Sequence, residues 1–201
     1  QKDLKQIVIF NIVISLGVMV CGTATLNTFG VKGALFYAVN DILLKAALFI
    51  VVGLIIYVSG VKSLQKCGLI NKYPLLGWTY FIIVLSLAGI PPFSGFYGKA
   101  LIIKGLVTNN NTFIAILVAL SGLVVFYSLI RIFLNVFYDN INKSLILKPL
   151  PKGVQIPLIA IVAIALIIGV STNLLDGFFD KGIQMVLNPQ HYIDLVLKKG
   201  A

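Results

Sequence analysis

The chain has 201 residues, a formal net charge of +10, 59% hydrophobic and 11% charged residues, and a mean hydropathy of +1.04. A soluble domain of this length has no use for so much apolar surface, so the composition specifies a membrane unit and excludes nucleic acid as the partner of its positive charge. Two cysteines, Cys21 and Cys67, are too few and too scattered for a disulfide framework or a metal site. No nucleotide, flavin or iron–sulfur motif appears, which implies no cofactor and no redox or hydrolytic enzyme.

Five apolar runs each reach the roughly 20 residues that cross a ~30 Å hydrocarbon core. The first, residues 6–26, is too long for a signal-peptide core and lacks a distinct cleavage site. Its Asn11 and Ser15 lie four apart on one face, the pattern of interhelical glue. The second run, 34–58, carries Asn40, Asp41 and Lys45. The chain has no glutamate, and of its six aspartates only Asp41 falls inside a run. Asp41 and Lys45 share a helical face with the acid N-terminal to the base, the favoured order. They either neutralise each other for insertion or serve a proton path in which Lys45 is the relay.

The third run, 77–107, contains Ser86-Leu-Ala-Gly-Ile-Pro-Pro-Phe-Ser-Gly-Phe-Tyr-Gly-Lys99. Pro91 and Pro92 remove backbone donors and free carbonyls, and Gly95 adds flexibility, so the span is expected to break there. Lys99 beside that break is a functional-site candidate, since discontinuous helices hold ions near the midplane of transporters. Lys104 lies five residues on, about 140° round the helix and ~7.5 Å nearer the following loop, and reads as an interfacial anchor. In the fourth run, 113–137, Arg131 anchors the helix end or holds a neighbouring carbonyl or carboxylate. The fifth run is 154–175, with connections expected at 28–33, 59–73, 108–112 and 138–153. The tail, 176–201, alternates apolar and polar residues without an apolar run long enough to span. Residues 180–197 are expected to lie along the interface, interrupted at Pro189, and His191 reads as interfacial.

No linker or repeat divides the chain, so 1–201 is one transmembrane domain, all-α, with about five spans, one of them broken at the Pro-Pro site. In that count Lys2, Lys5, Lys62, Lys66, Lys72, Lys143, Lys148 and Lys152 share one side, against Lys32 in the short connections of the other. The lysine-rich side is therefore cytoplasmic. A rival count of six spans, with 90–95 as a true loop, puts the last three of these lysines outside and is rejected on that rule.

Several segments resemble one family. Asp3-Leu-Lys5, residues 36–49, Gly68-Leu-Ile-Asn-Lys-Tyr-Pro-Leu-Leu-Gly-Trp78, residues 85–99, Tyr127-Ser-Leu-Ile-Arg-Ile-Phe133 and Asn188-Pro-Gln-His-Tyr-Ile-Asp194 carry the resemblance and are spread from one end of the chain to the other. They look like the C-terminal half of the D-type subunit of Mrp Na+/H+ antiporters, a family shared with the antiporter-like subunits of NADH:quinone oxidoreductase. The resemblance implies one half of an inverted-repeat subunit, with Lys99 and Lys45 as terminal and relay groups of a proton path. It also implies protons and Na+ as transported ions, other antiporter subunits as partners, and a bacterial plasma membrane as location. At Asn40 relatives often carry histidine, and asparagine cannot titrate. Family members have about nine further helices upstream, and with Gln1 at its start the chain is expected to be a fragment that does not transport alone. The proton-pumping arm of NADH:quinone oxidoreductase and a non-transporting scaffold are the alternative readings.

Overall fold

The computed structural model describes residues 3–65, 67–91, 93–138, 147–170 and Ile183. These residues form helices and no extended strand. Helix α1, Leu4–Thr23, starts where the Asp3 carboxylate accepts the amides of Lys5 at 2.8 Å and Gln6 at 3.4 Å. Helix α2, Thr28–Ser59, begins under an Asn27 cap that accepts the Gly30 amide at 2.8 Å. It ends at Gly60, whose left-handed φ of 70° closes the helix.

The expected loop at 28–33 is therefore the first turn and a half of α2, and the connection is the shorter 24–27. Glycines 30 and 33 suggest a loop from sequence, but here they are contact surface. A Cβ on Gly33 would come within 2.6 Å of the Ile102 backbone nitrogen, and one on Gly30 would strike the Gly22 carbonyl at 2.7 Å.

Helix α3, Pro74–Ala88, opens with proline at the position where no donor is needed. It closes at Gly89, φ 80°, whose amide turns back to the carbonyls of Leu85 and Ser86. Helix α4 is Ser94–Thr108, and α5, Thr112–Ile132, continues through a wider turn at Phe133–Tyr138. Helix α6, Lys152–Val170, is described only to its last named residue; the expected run to 175 and the whole interfacial tail, apart from buried Ile183, lie outside the described residues.

The contacts settle how α3 and α4 are laid end to end. On α5, Ala115 and Val118 pack with Ile102 and Leu106 of α4. Gly122 sits against the Ala88 carbonyl at the end of α3. Further along, the Leu129 carbonyl accepts the Tyr80 hydroxyl at 2.9 Å, and Phe133 and Phe137 pack on the Tyr80 ring. One antiparallel helix thus passes first α4 and then α3, so the two short helices run in the same direction as a single pass. A hairpin at 90–95 would have folded α4 back along α3, so the six-span count fails. Helices α1, α2 and the α5 segment extending to Tyr138 are long and apolar enough to cross a membrane, and α3 with α4 makes a further traverse from two 15-residue pieces.

Candidate functional site

The break supplies acceptors and the chain supplies one cation for them. Ending α3 at Gly89 leaves its last carbonyls without helical partners. Lys99, in the second turn of α4, reaches back across the gap: its ammonium donates to the Ala88 carbonyl at 2.9 Å and to the Leu87 carbonyl at 3.3 Å. The charge thereby sits on the negative end of the α3 dipole. Two glycines make the approach possible. A Cβ on Gly95 would overlap the Ser86 carbonyl oxygen, and one on Gly122 would lie 2.7 Å from the Ala88 oxygen and 3.4 Å from the Lys99 nitrogen. Lys99 is only 5% exposed, and its ammonium lies 5.5 Å from the centroid of the Tyr37 ring.

Tyr37 leads to the second charged group. Its hydroxyl lies 3.4 Å from Ser15 Oγ, and Ser15 lies 3.0 Å from one oxygen of Asp41. The other Asp41 oxygen accepts Lys45 Nζ at 2.5 Å. Asp41 is 4% and Lys45 7% exposed, and Asn40 is buried beside them. Ser15 carries one proton and faces two acceptors, Asp41 and the Asn11 carbonyl at 3.1 Å. The Asn11 side chain holds Ser128 of α5 in a reciprocal pair at 3.0 and 3.2 Å, at the floor of a cavity of about 200 Å³ between α1 and α5.

Lys99, Asp41 and Lys45, the proton-path candidates of the sequence, therefore lie in one buried region, with Asn40 and Ser15 beside the Asp41–Lys45 pair. Lys104 and Arg131 do not join them. Lys104 is exposed with its ammonium 3.9 Å from the Phe29 ring centroid, and Arg131 is exposed over Tyr127. Pro91 is exposed at the break and Pro92 lies outside the described residues. Sequence reasoning missed Tyr37, which stands one turn before Asp41 as Asp41 stands one turn before Lys45, and it read Ser15 as glue alone. That i, i+4, i+8 stripe was the available signal. Among the described residues no three His, Cys, Asp or Glu side chains come together to hold a metal ion.

Fold and site together define a multi-pass helical membrane protein with a discontinuous pass that carries a buried cation. The chain belongs to the NADH:quinone oxidoreductase/Mrp antiporter transmembrane family, whose model matches residues 1–125. It is 38% identical to the D-type subunit of the Na(+)/H(+) antiporter of Bacillus subtilis (strain 168), over 98% of this chain and 41% of that protein. Its fold is that of a chain in the Mrp complex from Dietzia sp. DQ12-45-1b, with a TM-score of 0.88 at 22% identity over 98% of this chain and 45% of that one. A chain of respiratory complex I from Thermus thermophilus gives 0.80 at 22% identity, over 94% and 39%. The chain thus spans about two fifths of the length of these relatives.

Proposed function

We propose that this chain is the C-terminal half-channel of a D-type subunit in a multisubunit Na+/H+ antiporter of a bacterial plasma membrane, and that it moves protons through Lys99 and the Asp41–Lys45 pair. The carrying observation is the Lys99 ammonium seated on the Leu87 and Ala88 carbonyls of a broken pass. A lysine needed only for anchoring would sit near a helix end, as Lys104 does. In this reading Lys99 and Lys45 exchange protons with a hydrated path, and Asp41 holds the countercharge that keeps either lysine tolerable when charged. Lysine and acid charges in neighbouring halves and subunits modulate their protonation. Protons moving down their gradient then drive Na+ export elsewhere in the assembly, and this chain performs no redox or hydrolytic step.

The test is exchange in everted vesicles. Lys99→Ala in the complete subunit should leave complex levels intact and abolish Na+-dependent collapse of a pH gradient. Lys99→Arg should fail as well, because a guanidinium keeps its proton. Wild-type exchange at normal complex levels in either variant overturns the reading. The respiratory complex I arm is the second reading, favoured by the shared fold; the 38% identity to an antiporter protein supports the first. Proton movement that requires NADH oxidation instead of a Na+ gradient would choose the second.

A further inference from the structure

The end of the molecule that carries Lys5, Lys62, Lys72 and Lys148 holds a concave feature separate from the charged pass. Residues 147–151, ahead of α6, are strapped over the end of α2. The Lys148 amide donates to the Val58 carbonyl at 3.0 Å, and the Tyr73 hydroxyl donates to the Lys148 carbonyl at 2.8 Å. Under this strap a hollow of about 720 Å³ opens to the surface, with Lys72, Tyr73, Pro149, Gln155 and Ile156 on its walls. That is within the ~300–1,000 Å³ of ordinary ligand sites. Leu150 and Gln155 continue into a shallow apolar crevice between α3 and α6, lined by Leu75, Leu76, Leu158 and Ile159.

The feature is polar above and hydrocarbon below. Among the described residues the charge balance at its mouth is one-sided. Among the described residues Asp3 is the one carboxylate at this end, and it is occupied in capping α1. The Lys148 ammonium is turned to the Tyr57 ring, 5.7 Å from its centroid. The Lys72 ammonium keeps a long contact with the Leu147 carbonyl, 3.5 Å, and borders the hollow. A small anion would use the hollow and leave the crevice without purpose. An amphiphile uses both.

We infer that this hollow is a headgroup site for an anionic phospholipid, with its phosphate on Lys72 and Gln155 and an acyl chain laid along the α3/α6 crevice. A basic pocket between helices at a membrane surface suits such a headgroup, and the one lysine that borders this hollow, Lys72, would contribute about 1 kcal/mol near an anionic surface. The inference does not rest on the proton path.

The probe is phosphatidylglycerol carrying a photoactivatable group on its acyl chain, added to the complete purified complex and mapped by peptide mass spectrometry. Label is expected on peptides spanning 72–79 and 150–159, competed by unlabelled phosphatidylglycerol but not by phosphatidylcholine or inorganic phosphate. Lys72→Gln should cut that label about fivefold, the ratio equivalent to roughly 1 kcal/mol, with Lys72→Arg retaining it. If Lys72→Gln fails to assemble, Gln155→Leu serves in its place. Equal competition by phosphatidylcholine, equal competition by phosphate, or undiminished label in the substituted complex overturns the site, and so does label confined to a neighbouring protein of the complex.

Discussion

Lys45 and Asp41 are bound to each other more tightly than to anything else around them, and this sets what substitution does. Removing either partner strands a charge in a buried site, at a cost of about 3–5 kcal/mol, whereas removing both strands none. Asp41→Asn and Lys45→Gln should each lower complex levels sharply, and the double variant should recover most of that loss; levels equal to the product of the singles would show that the pair does not couple. Exchange that stays absent in the recovered double variant marks Lys45 as a relay, and exchange that returns marks the pair as structural. Tyr37→Phe separates two further roles, since it keeps the ring beneath Lys99 and deletes the hydroxyl 3.4 Å from Ser15. Complex levels should be unchanged and exchange should slow, with Ser15→Ala acting in the same direction. Wild-type rates in both would leave these hydroxyls as packing groups. The charges were legible in the sequence because a charge in an apolar run has few explanations. Tyr37 was not, because a tyrosine in a membrane helix is ordinary until a neighbour gives its hydroxyl a partner.

At the scale of elements, the α2/α4 contact is built on small residues. Gly98 sits on Tyr37, Gly33 on Ile102 and Gly105 on Gly30, so the backbones approach closely enough for packing to hold helices together where no hydrophobic effect separates them from lipid. Gly98→Val should cost roughly 1–3 kcal/mol through overpacking, since its first added carbon already lies 2.9 Å from the Tyr37 backbone. Gly53→Ala meets nothing within 4 Å and should gain about 0.5–1 kcal/mol from helix propensity. Thermal melts of the purified complex check both, and a neutral Gly98→Val would mean that α4 is free to move off α2. The segment 28–33 reads as a connection because it falls between two apolar runs, yet its Gly30 and Gly33 belong to this helix contact. Close helix packing and loop flexibility both ask for residues without side chains, and only the partner helix distinguishes them. The proline break, in contrast, was readable, because two adjacent prolines cannot lie in a continuous hydrogen-bonded helix.

For the whole molecule, the end-to-end placement of α3 and α4 fixes which surfaces lie at the same end. Asn110 is at one end and Pro149 at the other, both exposed. In a background with Cys21 and Cys67 replaced, Asn110→Cys should react with a membrane-impermeant thiol reagent on intact cells and Pro149→Cys should not; the reverse pattern would refute the orientation taken from the lysines. Replacement of Cys67 is a precaution only, since it is buried and burial pushes its thiol up, away from the reactive thiolate. The long apolar helices α1, α2 and α5 were legible from hydropathy, whereas the way α5 clamps both halves of the broken pass depended on contacts far apart in sequence. That broken pass also bears on how the protein is made. A 15-residue helix is about 22 Å long, short of the ~30 Å hydrocarbon core, so Pro74–Ala88 cannot settle across the bilayer when it first leaves the ribosome. Its second half arrives carrying Lys99 and Lys104 and finds its first large packing surface on the glycine face of α2, which has already been synthesised. Insertion of this pass is therefore a late event, completed by helix docking rather than by hydrophobicity, and a defect in the α2/α4 seam should show itself in the newborn chain before it shows itself in transport.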